Sequence, residues 1–110
     1  MTALVYVAGP YAKPDPVINT RQATYWALRI YEATGAGVII PHLSLLAHAM
    51  FPHDEDYWYA FDFALLDACT CVYRIPGESK GADAEEKRAR EQGLPVFVDD
   101  FNGLLRFFRK

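Results

Sequence analysis

The chain has 110 residues, of which 52% are hydrophobic and 15% aromatic, and its formal net charge is −3 at pH 7. This length and composition predict one compact domain over residues 1–110 and exclude a disordered chain. Because no basic tail or stripe is present, duplex nucleic acid is not an expected partner, whereas a single nucleotide is compatible. No apolar run approaches the ~20 residues that span a bilayer. The only cysteines, Cys69 and Cys71, are too close for a disulfide framework and fit a reducing cytoplasm.

The first half of the chain alternates apolar runs with a helical segment. Residues 3–8 are continuously apolar, which is typical of a buried parallel strand. Asn19 and Gln22 resemble a capping box and predict the start of a helix that ends at Gly35 or Gly37. The other elements predicted here are a strand over residues 38–40, stopped by Pro41, and a short helix or turn over residues 42–50.

The second half repeats this alternation. Asp54 predicts the cap of a helix that runs to about Ala68. The other predicted elements are a strand over residues 71–75, a helix from Gly81 to about Gln92, a strand over residues 94–98 and a final amphipathic helix with Phe101, Leu104, Leu105 and Phe108. Strands that alternate with helices predict an α/β fold with a parallel sheet, and such sheets bind ligands beyond the carboxyl ends of their strands.

The segment from Pro76 to Ala89 is the most informative stretch for function. A predicted strand leads into a loop of small and polar residues and then into a helix N-terminus. Unpaired backbone N–H groups and the positive end of the helix dipole make such a place suitable for an anion. A glutamate pair, Glu85 and Glu86, lies just inside the helix. The segment therefore suggests chemistry on a phosphorylated sugar.

Helical spacing distinguishes the two glutamates. Ala82, Glu85 and Ala89 share one narrow face of small residues, which favours close packing on a sheet. Glu86 precedes Arg90 by four residues, as in an exposed ion pair. We therefore expect Glu85 to point inward and Glu86 outward. The alternative interpretation is that both glutamates only complement the helix dipole.

Asp62 is a second candidate carboxylate. Its neighbours one helical turn away are Trp58, Tyr59, Leu65 and Leu66, so partial desolvation and a raised pKa are expected. Asp67 lies nearer the helix end and is interpreted as a surface residue. Two carboxylates in different environments are the arrangement that glycosyl-bond chemistry uses. The alternative for Asp62 is a buried structural carboxylate held by a backbone donor or an arginine.

Other polar residues follow the predicted strands. Gly9 lets the backbone approach a ligand, and Tyr11 beside it either stacks on a base or belongs to the core. His42 either contacts a base or sugar or only caps a loop. Arg21 and Lys80 add positive charge. The three histidines match no established zinc spacing, and His48 is expected to face away from His42, so no metal is predicted.

Together these pieces resemble the nucleoside 2-deoxyribosyltransferase superfamily, including its short bacterial and phage members. The resemblance covers nearly the whole chain and depends on the order of five segments. These are VYVAGPYA, Asn19 with Arg21, IIPHL, YWYAFDFALLDAC and SKGADAEEKRA before LPVF. The resemblance implies a single-domain Rossmann-like (flavodoxin-like) three-layer fold with a four- to five-stranded parallel sheet. It implies no cofactor.

The resemblance also implies roles for individual residues. In the family the glycosyl nucleophile is a Glu four residues after a Gly and four before an Ala, as Glu85 is between Gly81 and Ala89. Asp62 matches the second carboxylate, and Tyr6 matches an aromatic residue on the first strand. The residues implied or suggested to bind substrate are Gly9, Tyr11, Arg21, His42, Ser79, Lys80 and Gly81. One departure is Thr70, where relatives usually have Asp.

Ser79 bears on the substrate. Family members that act on unphosphorylated nucleosides tend to have a carboxylate at this position, whereas the related nucleoside-monophosphate N-glycosidases have Ser. A carboxylate would repel a phosphate, and a serine beside a helix N-terminus would bind it. The resemblance thus favours a nucleoside 5′-monophosphate as the substrate.

Three functions are compatible with the sequence. The first is an N-glycosidase or deoxyribosyltransferase that acts through a covalent glycosyl-Glu85 intermediate. The second is a non-catalytic module that binds or senses a nucleotide. The third is a phosphoribohydrolase of the cytokinin-activating type, which is disfavoured because the PGGxGT loop is absent.

The aromatic content also suggests assembly. The aromatic residues that exceed what one core of this size requires are Tyr25, Trp26, Tyr31, Phe51, Trp58 and Tyr59. We therefore expect a homodimer or a larger homo-oligomer that pairs through the helices containing Trp26 and Trp58.

Overall fold

The computed structural model describes residues 3–109, and its strands form one parallel sheet. The strands are β1 (Leu4–Ala8), β2 (Gly37–Ile39), β3 (Cys71–Arg74) and β4 (Val96–Val98). They lie in the order β2-β1-β3-β4, and every neighbouring pair is parallel. The predicted α/β fold with a parallel sheet is confirmed, with four strands in the described part of the chain.

Helices follow the strands in the predicted order. They are α1 (Pro16–Thr34), α2 (Leu45–Met50), α3 (Glu55–Asp67), α4 (Lys80–Glu91) and α5 (Phe101–Phe108), and a single 3₁₀ turn (Pro41–Ser44) precedes α2. Helix α4 begins one residue earlier than predicted. Ser79 is its N-cap, since the Ser79 side chain accepts a hydrogen bond from the backbone N–H of Ala82 at 3.1 Å. None of the helices within residues 3–109 combines the length and apolar character needed to cross a membrane.

Alternate side chains of the central strands enter two separate cores. Val5, Val7 and Tyr73 pack on one face of the sheet, and Tyr6 and Val72 pack on the other. The first core is completed by residues of α1 and α5, namely Ala23, Ala27, Ile30 and Leu104. The second core is completed by residues next to or within α3 and α4, namely Leu66, Cys69 and Ala89. The period of two along each strand therefore produces the predicted three layers, helix–sheet–helix.

The start of α1 differs from the prediction. Asp15 is the N-cap, and its Oδ1 accepts hydrogen bonds from the N–H groups of Val17 at 2.8 Å and Ile18 at 3.1 Å. Pro16 occupies the first helical position, where its missing N–H costs nothing. The prediction that Asn19 caps this helix is wrong, because Asn19 lies inside the helix and is buried.

Asn19 instead holds the loop between β1 and α1. Its Nδ2 donates hydrogen bonds to the carbonyl oxygens of Tyr11 and Lys13, each at 2.9 Å. Both carbonyls belong to the segment that follows β1. A side chain of α1 therefore fixes the loop that leaves the carboxyl end of the central strand.

The strand order places a crevice beside β1 and β3. The chain leaves β1 toward β2 on one side, and β3 lies on the other side, so the order reverses between these two strands. The loops that follow them pack tightly. A side chain on Gly77, whose φ is +133°, would approach Pro10 to 2.7 Å, and a side chain on Gly9 would approach Ile75 to 3.0 Å. The packing and the backbone conformation therefore require glycine at position 77, and a side chain at position 9 would make a tight contact with Ile75.

Candidate active site

A cleft of about 1340 Å³ lies at the carboxyl ends of β1 and β3. Its walls come from the loop after β1, the 3₁₀ turn after β2, the N-terminal part of α3 and the segment between β3 and α4, with further side chains from α1, α2 and the start of α4. Among the residues predicted to bind or transform a substrate, those that line the cleft are Gly9, Tyr11, His42, Asp62, Ser79, Lys80, Gly81 and Glu85. Ligand pockets commonly measure 300–1,000 Å³, so the cleft has room for a nucleotide.

Glu85 faces the cleft from the inner side of α4. Only 6% of the residue is exposed, and Ala82 and Ala89 on the same face are also buried. Glu86 points the other way, since its Oε2 accepts hydrogen bonds from Arg90 at 3.0 and 3.1 Å. The prediction that Glu85 points inward is confirmed. Glu86 does not line the cleft but is only partly exposed, because its Oε1 also lies 3.3 Å from Nε of the buried Arg74.

Tyr6, on β1, forms a hydrogen bond with Glu85 from the side of the sheet. Its hydroxyl, which lies in the core on the α3–α4 side of the sheet, donates a short hydrogen bond to Oε2 of Glu85. Burial first, and then the neighbouring Glu85, raise the pKa of Tyr6 far above its ordinary value, so the hydroxyl stays protonated. Tyr6 does not line the cleft itself. Its place is therefore that of a fixed donor that orients the carboxylate.

Burial also dominates the ionisation of Glu85. The pKa of Glu85 is raised to about 8, chiefly by burial and to a smaller extent by the nearby Asp62, while the Tyr6 hydrogen bond and Arg74 act in the opposite direction. In the ligand-free cleft at neutral pH, the carboxyl group of Glu85 is therefore mainly protonated. The carboxylate form becomes dominant above about pH 8.

Asp62 is the second desolvated carboxyl group in the same cleft. Burial raises its pKa to about 6, and its Oδ1 is buried without a hydrogen-bond partner among residues 3–109. The predicted desolvation is therefore confirmed, and no arginine compensates for it. Asp67, by contrast, is exposed and its Oδ2 lies 2.6 Å from Nη2 of Arg88, as expected for a surface residue.

The raised pKa of Glu85 predicts a stability effect. A carboxyl group whose pKa rises on folding destabilises the native state as the pH increases from its unfolded pKa, about 4.5, through its folded pKa, about 8. We expect Glu85→Gln to be more stable than the wild type at pH 8.5, by on the order of 3 kcal/mol, and to show little difference at pH 4.

Urea unfolding of both proteins at the two pH values measures this difference. Glu91→Gln, an exposed change on the same helix, is the control and is expected to behave as the wild type at both. If the unfolding free energy of Glu85→Gln equals that of the wild type at both pH 4 and pH 8.5, the raised pKa of Glu85 is contradicted.

His42 presents a hydrogen-bond acceptor to the cleft. Its Nε2 lies 2.9 Å from the carbonyl oxygen of Pro10, which can only accept, so Nε2 carries the proton. Burial lowers the pKa of His42, which keeps the ring neutral. The remaining Nδ1 is buried without a partner among residues 3–109, in a side chain that lines the cleft. A ligand that satisfies it must supply an N–H or O–H donor.

The N-terminus of α4 forms another wall. Ser79 accepts from Ala82 through its Oγ and retains its own hydroxyl hydrogen for a ligand. A side chain added at Gly81 would meet Tyr59 only at 3.7 Å, an ordinary contact. Protein packing therefore does not require a glycine at position 81. Lys80 is exposed at the rim, with its Nζ 4.0 Å from Glu55.

Other predicted positions need correction or addition. Arg21 is exposed on α1 and does not line the cleft, because α1 begins at Pro16 and turns this side chain outward. The expectation that His48 faces away from His42 is also wrong, since both line the cleft. Trp58 joins them and donates from Nε1 to Nδ1 of His48 at 2.7 Å.

Sequence reasoning missed the pairing of Trp58 with His48. They are ten residues apart on two different helices, α2 and α3, and helical periodicity does not continue from one helix to the next. Within residues 3–109, no group of three or more His, Cys, Asp or Glu side chains is placed to hold a metal ion.

Comparison with known proteins supports the fold. No protein-family model matches the chain, and no curated protein matches its sequence. Among solved structures, the chain is similar to a 2-deoxyribosyltransferase from the psychrotolerant bacterium Bacillus psychrosaccharolyticus, with a TM-score of 0.59 and 17% sequence identity. The match covers 87% of this chain and 71% of the other. At this identity the likeness shows that the two chains share a fold.

Proposed function

We propose that this protein cleaves the N-glycosidic bond of a nucleoside or deoxynucleoside 5′-monophosphate. The observation that carries the proposal is the pair of desolvated carboxyl groups in one cleft, with Glu85 held by Tyr6 and Oδ1 of Asp62 buried without a partner among residues 3–109. The shared fold supports it, because the similar solved structure is a 2-deoxyribosyltransferase described as a biocatalyst for nucleoside synthesis.

In the proposed reaction Glu85 is the nucleophile. Its carboxylate oxygen forms a bond to C1′ while the bond from C1′ to the base nitrogen breaks, and the electron pair of that bond leaves with the base. The reactive form has the single proton of the pair on Asp62 rather than on Glu85, and the Asp62 carboxyl group donates it to the departing base. Tyr6 keeps the attacking oxygen in place throughout. The product of this step is a glycosyl ester on Glu85 and a free base.

The second half of the reaction releases the sugar. A water molecule attacks C1′, the Asp62 carboxylate takes its proton, and the Glu85 carboxylate leaves, so both groups return to their starting forms. If a second base attacks in place of water, the result is transfer to a new base. Hydrolysis and transfer thus differ only in the acceptor.

One observation favours a second candidate, a non-catalytic nucleotide-binding module. Because burial raises the pKa of Glu85 to about 8, the group is mainly protonated at neutral pH and then acts as a hydrogen-bond donor. A protonated carboxyl group binds a ligand without attacking it. The two functions differ in whether base release occurs at all.

A screen for base release tests the proposal. The protein is incubated separately with each common deoxynucleoside and ribonucleoside and with their 5′-monophosphates, and free base is quantified by chromatography. We expect release from at least one monophosphate and less from the matching nucleoside. Binding of a monophosphate without release at any pH from 5 to 9 would establish the binding module instead.

The phosphate preference predicts the effect of Ser79→Asp. The new carboxylate would repel a phosphate at the N-terminus of α4, and Asp remains a good N-cap, so folding is preserved. We expect affinity for the monophosphate to fall by about tenfold or more and affinity for the nucleoside to change little. Calorimetric titration with both ligands measures this. Equal affinity of the wild type for both would remove the basis of the prediction.

We also propose that the chain forms a homodimer or a larger homo-oligomer. Five apolar side chains on α1 are more than half exposed: Val17, Ile18, Tyr25, Leu28 and Tyr31. Trp26 is not among them, because it packs against Tyr73 and Phe101, so this residue is corrected from an interface candidate to a core contact. Light scattering at micromolar concentration is expected to give at least twice the chain mass, and a purely monomeric mass would refute assembly.

A further inference from the structure

Arg74 is a buried charge at the end of β3 that the chemistry described above does not use. Its side chain is 5% exposed, and it does not line the cleft. A buried guanidinium requires hydrogen-bond acceptors for its N–H groups, and these acceptors identify the parts of the chain that Arg74 holds in place. Two of them are backbone carbonyls of the loop after β3, and two are carboxylates of α4.

The carbonyl contacts fix the orientation of the loop. Nη1 donates to the carbonyl oxygen of Ile75 at 2.6 Å, and Nη2 donates to that of Gly77 at 3.1 Å. In a planar trans peptide the C=O and the following N–H point in opposite directions. Because the Gly77 carbonyl points at Arg74, the N–H of Glu78 points away from it. Arg74 thus sets which side of the loop carries donors and which carries acceptors.

The carboxylate contacts fix the helix that follows. Nη2 of Arg74 lies 2.8 Å from Oδ1 of Asp83, and Nε lies 3.3 Å from Oε1 of Glu86. Asp83 belongs to the first turn of α4. The N–H groups of Lys80 and Gly81, the first two residues of this helix, have no intrahelical acceptors. Holding both the loop and the first turn therefore fixes the direction of these donors.

We propose that Arg74 is a positioning residue for phosphate recognition, which orients the backbone donors of residues 78–81 toward the cleft without touching the ligand. The inference rests on the proposed monophosphate substrate. A separate observation marks the same cleft as a ligand site, since the buried Nδ1 of His42, in a residue only 4% exposed, lines it without a partner among residues 3–109.

The shape of the side chain is essential to this role. A guanidinium has five donors in a planar fork and reaches two carbonyls and two carboxylates at once. A lysine keeps the charge but offers one compact ammonium group. Arg74→Lys therefore separates the effect of geometry from the effect of charge, and Arg74→Met removes both.

The test measures binding of one nucleoside 5′-monophosphate and its nucleoside by calorimetry. The variants are Arg74→Lys, Arg74→Met and Asp83→Asn, with Arg90→Met as a matched control. Arg90 lies on the same helix and pairs with Glu86 but makes no loop contact. We expect the Arg74 variants to lose about tenfold or more in monophosphate affinity, with nucleoside affinity within about twofold of the wild type. Arg90→Met is expected to lose neither.

The outcomes separate the two hypotheses. If the wild type prefers the monophosphate and both Arg74→Lys and Asp83→Asn retain that preference in full, the positioning role is refuted while the proposed substrate stands. Equal affinity of the wild type for both ligands would overturn the proposed substrate and the inference with it. If Arg74→Met does not fold, Arg74→Lys and Asp83→Asn still decide, since Asp83 is an exposed residue.

Discussion

Replacing Glu85 with Gln is expected to reduce base release by on the order of a thousandfold or more. The amide keeps the shape of the side chain and can still accept the hydrogen bond from Tyr6, but its oxygen is a poor nucleophile toward C1′. The measurement is single-turnover release of free base at pH 8, where the wild-type carboxylate is substantially ionised. Binding of substrate is expected to persist, because the cleft keeps its shape.

A second carboxylate of the same helix provides the control. Glu91 is exposed near the C-terminal end of α4, so Glu91→Gln is expected to keep full activity. Base release by Glu85→Gln at the wild-type rate would overturn the assignment of the nucleophile. In Glu85→Ala, which leaves space beside C1′, a loss of activity that is restored by adding formate or azide as a substitute nucleophile would support it.

The pH dependence of kcat/KM is expected to be bell-shaped, with arms near pH 6 and pH 8. The two apparent pKa values belong to the pair formed by Asp62, at about 6, and Glu85, at about 8. Activity requires one proton on the pair, located on Asp62 for donation to the base, with Glu85 ionised. Because the pKa of Glu85 is the higher of the two, this is the minor of the two singly protonated forms, and its population is greatest between pH 6 and pH 8. The rate should therefore fall by about tenfold per pH unit below pH 6 and again above pH 8.

Asp62→Asn distinguishes the role of Asp62. Without an acid to deprotonate, the fall above pH 8 should disappear, and activity should rise to a plateau at or below pH 8. The plateau begins at a lower pH because, without the charge of Asp62, the pKa of Glu85 is lower than in the wild type. A variant that keeps the alkaline fall would show that Asp62 only orients the sugar.

The sequence predicted the elements and the facing of Glu85 because both follow from local patterns. Apolar runs bounded by Gly and Pro marked all four strands, and the small residues around Glu85 marked the face of α4 that meets the sheet. The start of α1 was mispredicted although a signal was present. An Asp followed by Pro, as at Asp15 and Pro16, is a common start of a helix, whereas Asn19 with Gln22 only resembled a capping box.

Hydrogen-bond partners could not be obtained from such patterns. The partners of Arg74 are two backbone carbonyls and two carboxylates, and a carbonyl has no signature in a sequence. The protonation of His42 on Nε2, which leaves Nδ1 without a partner among residues 3–109, depends on the carbonyl of Pro10 in a different loop. For Tyr6, the family resemblance identified the position but not the hydrogen bond to Glu85.

The hydrogen bond between Tyr6 and Glu85 joins positions 79 residues apart in the chain. Tyr6 is on the first strand, and Glu85 is on a helix that forms only after the chain has passed through two other strands and three other helices. Such a contact costs loop-closure entropy that is recovered only when β1 and α4 have come together. Neither half of the chain contains both groups, so Glu85 has its oriented donor only after elements from both halves have packed together.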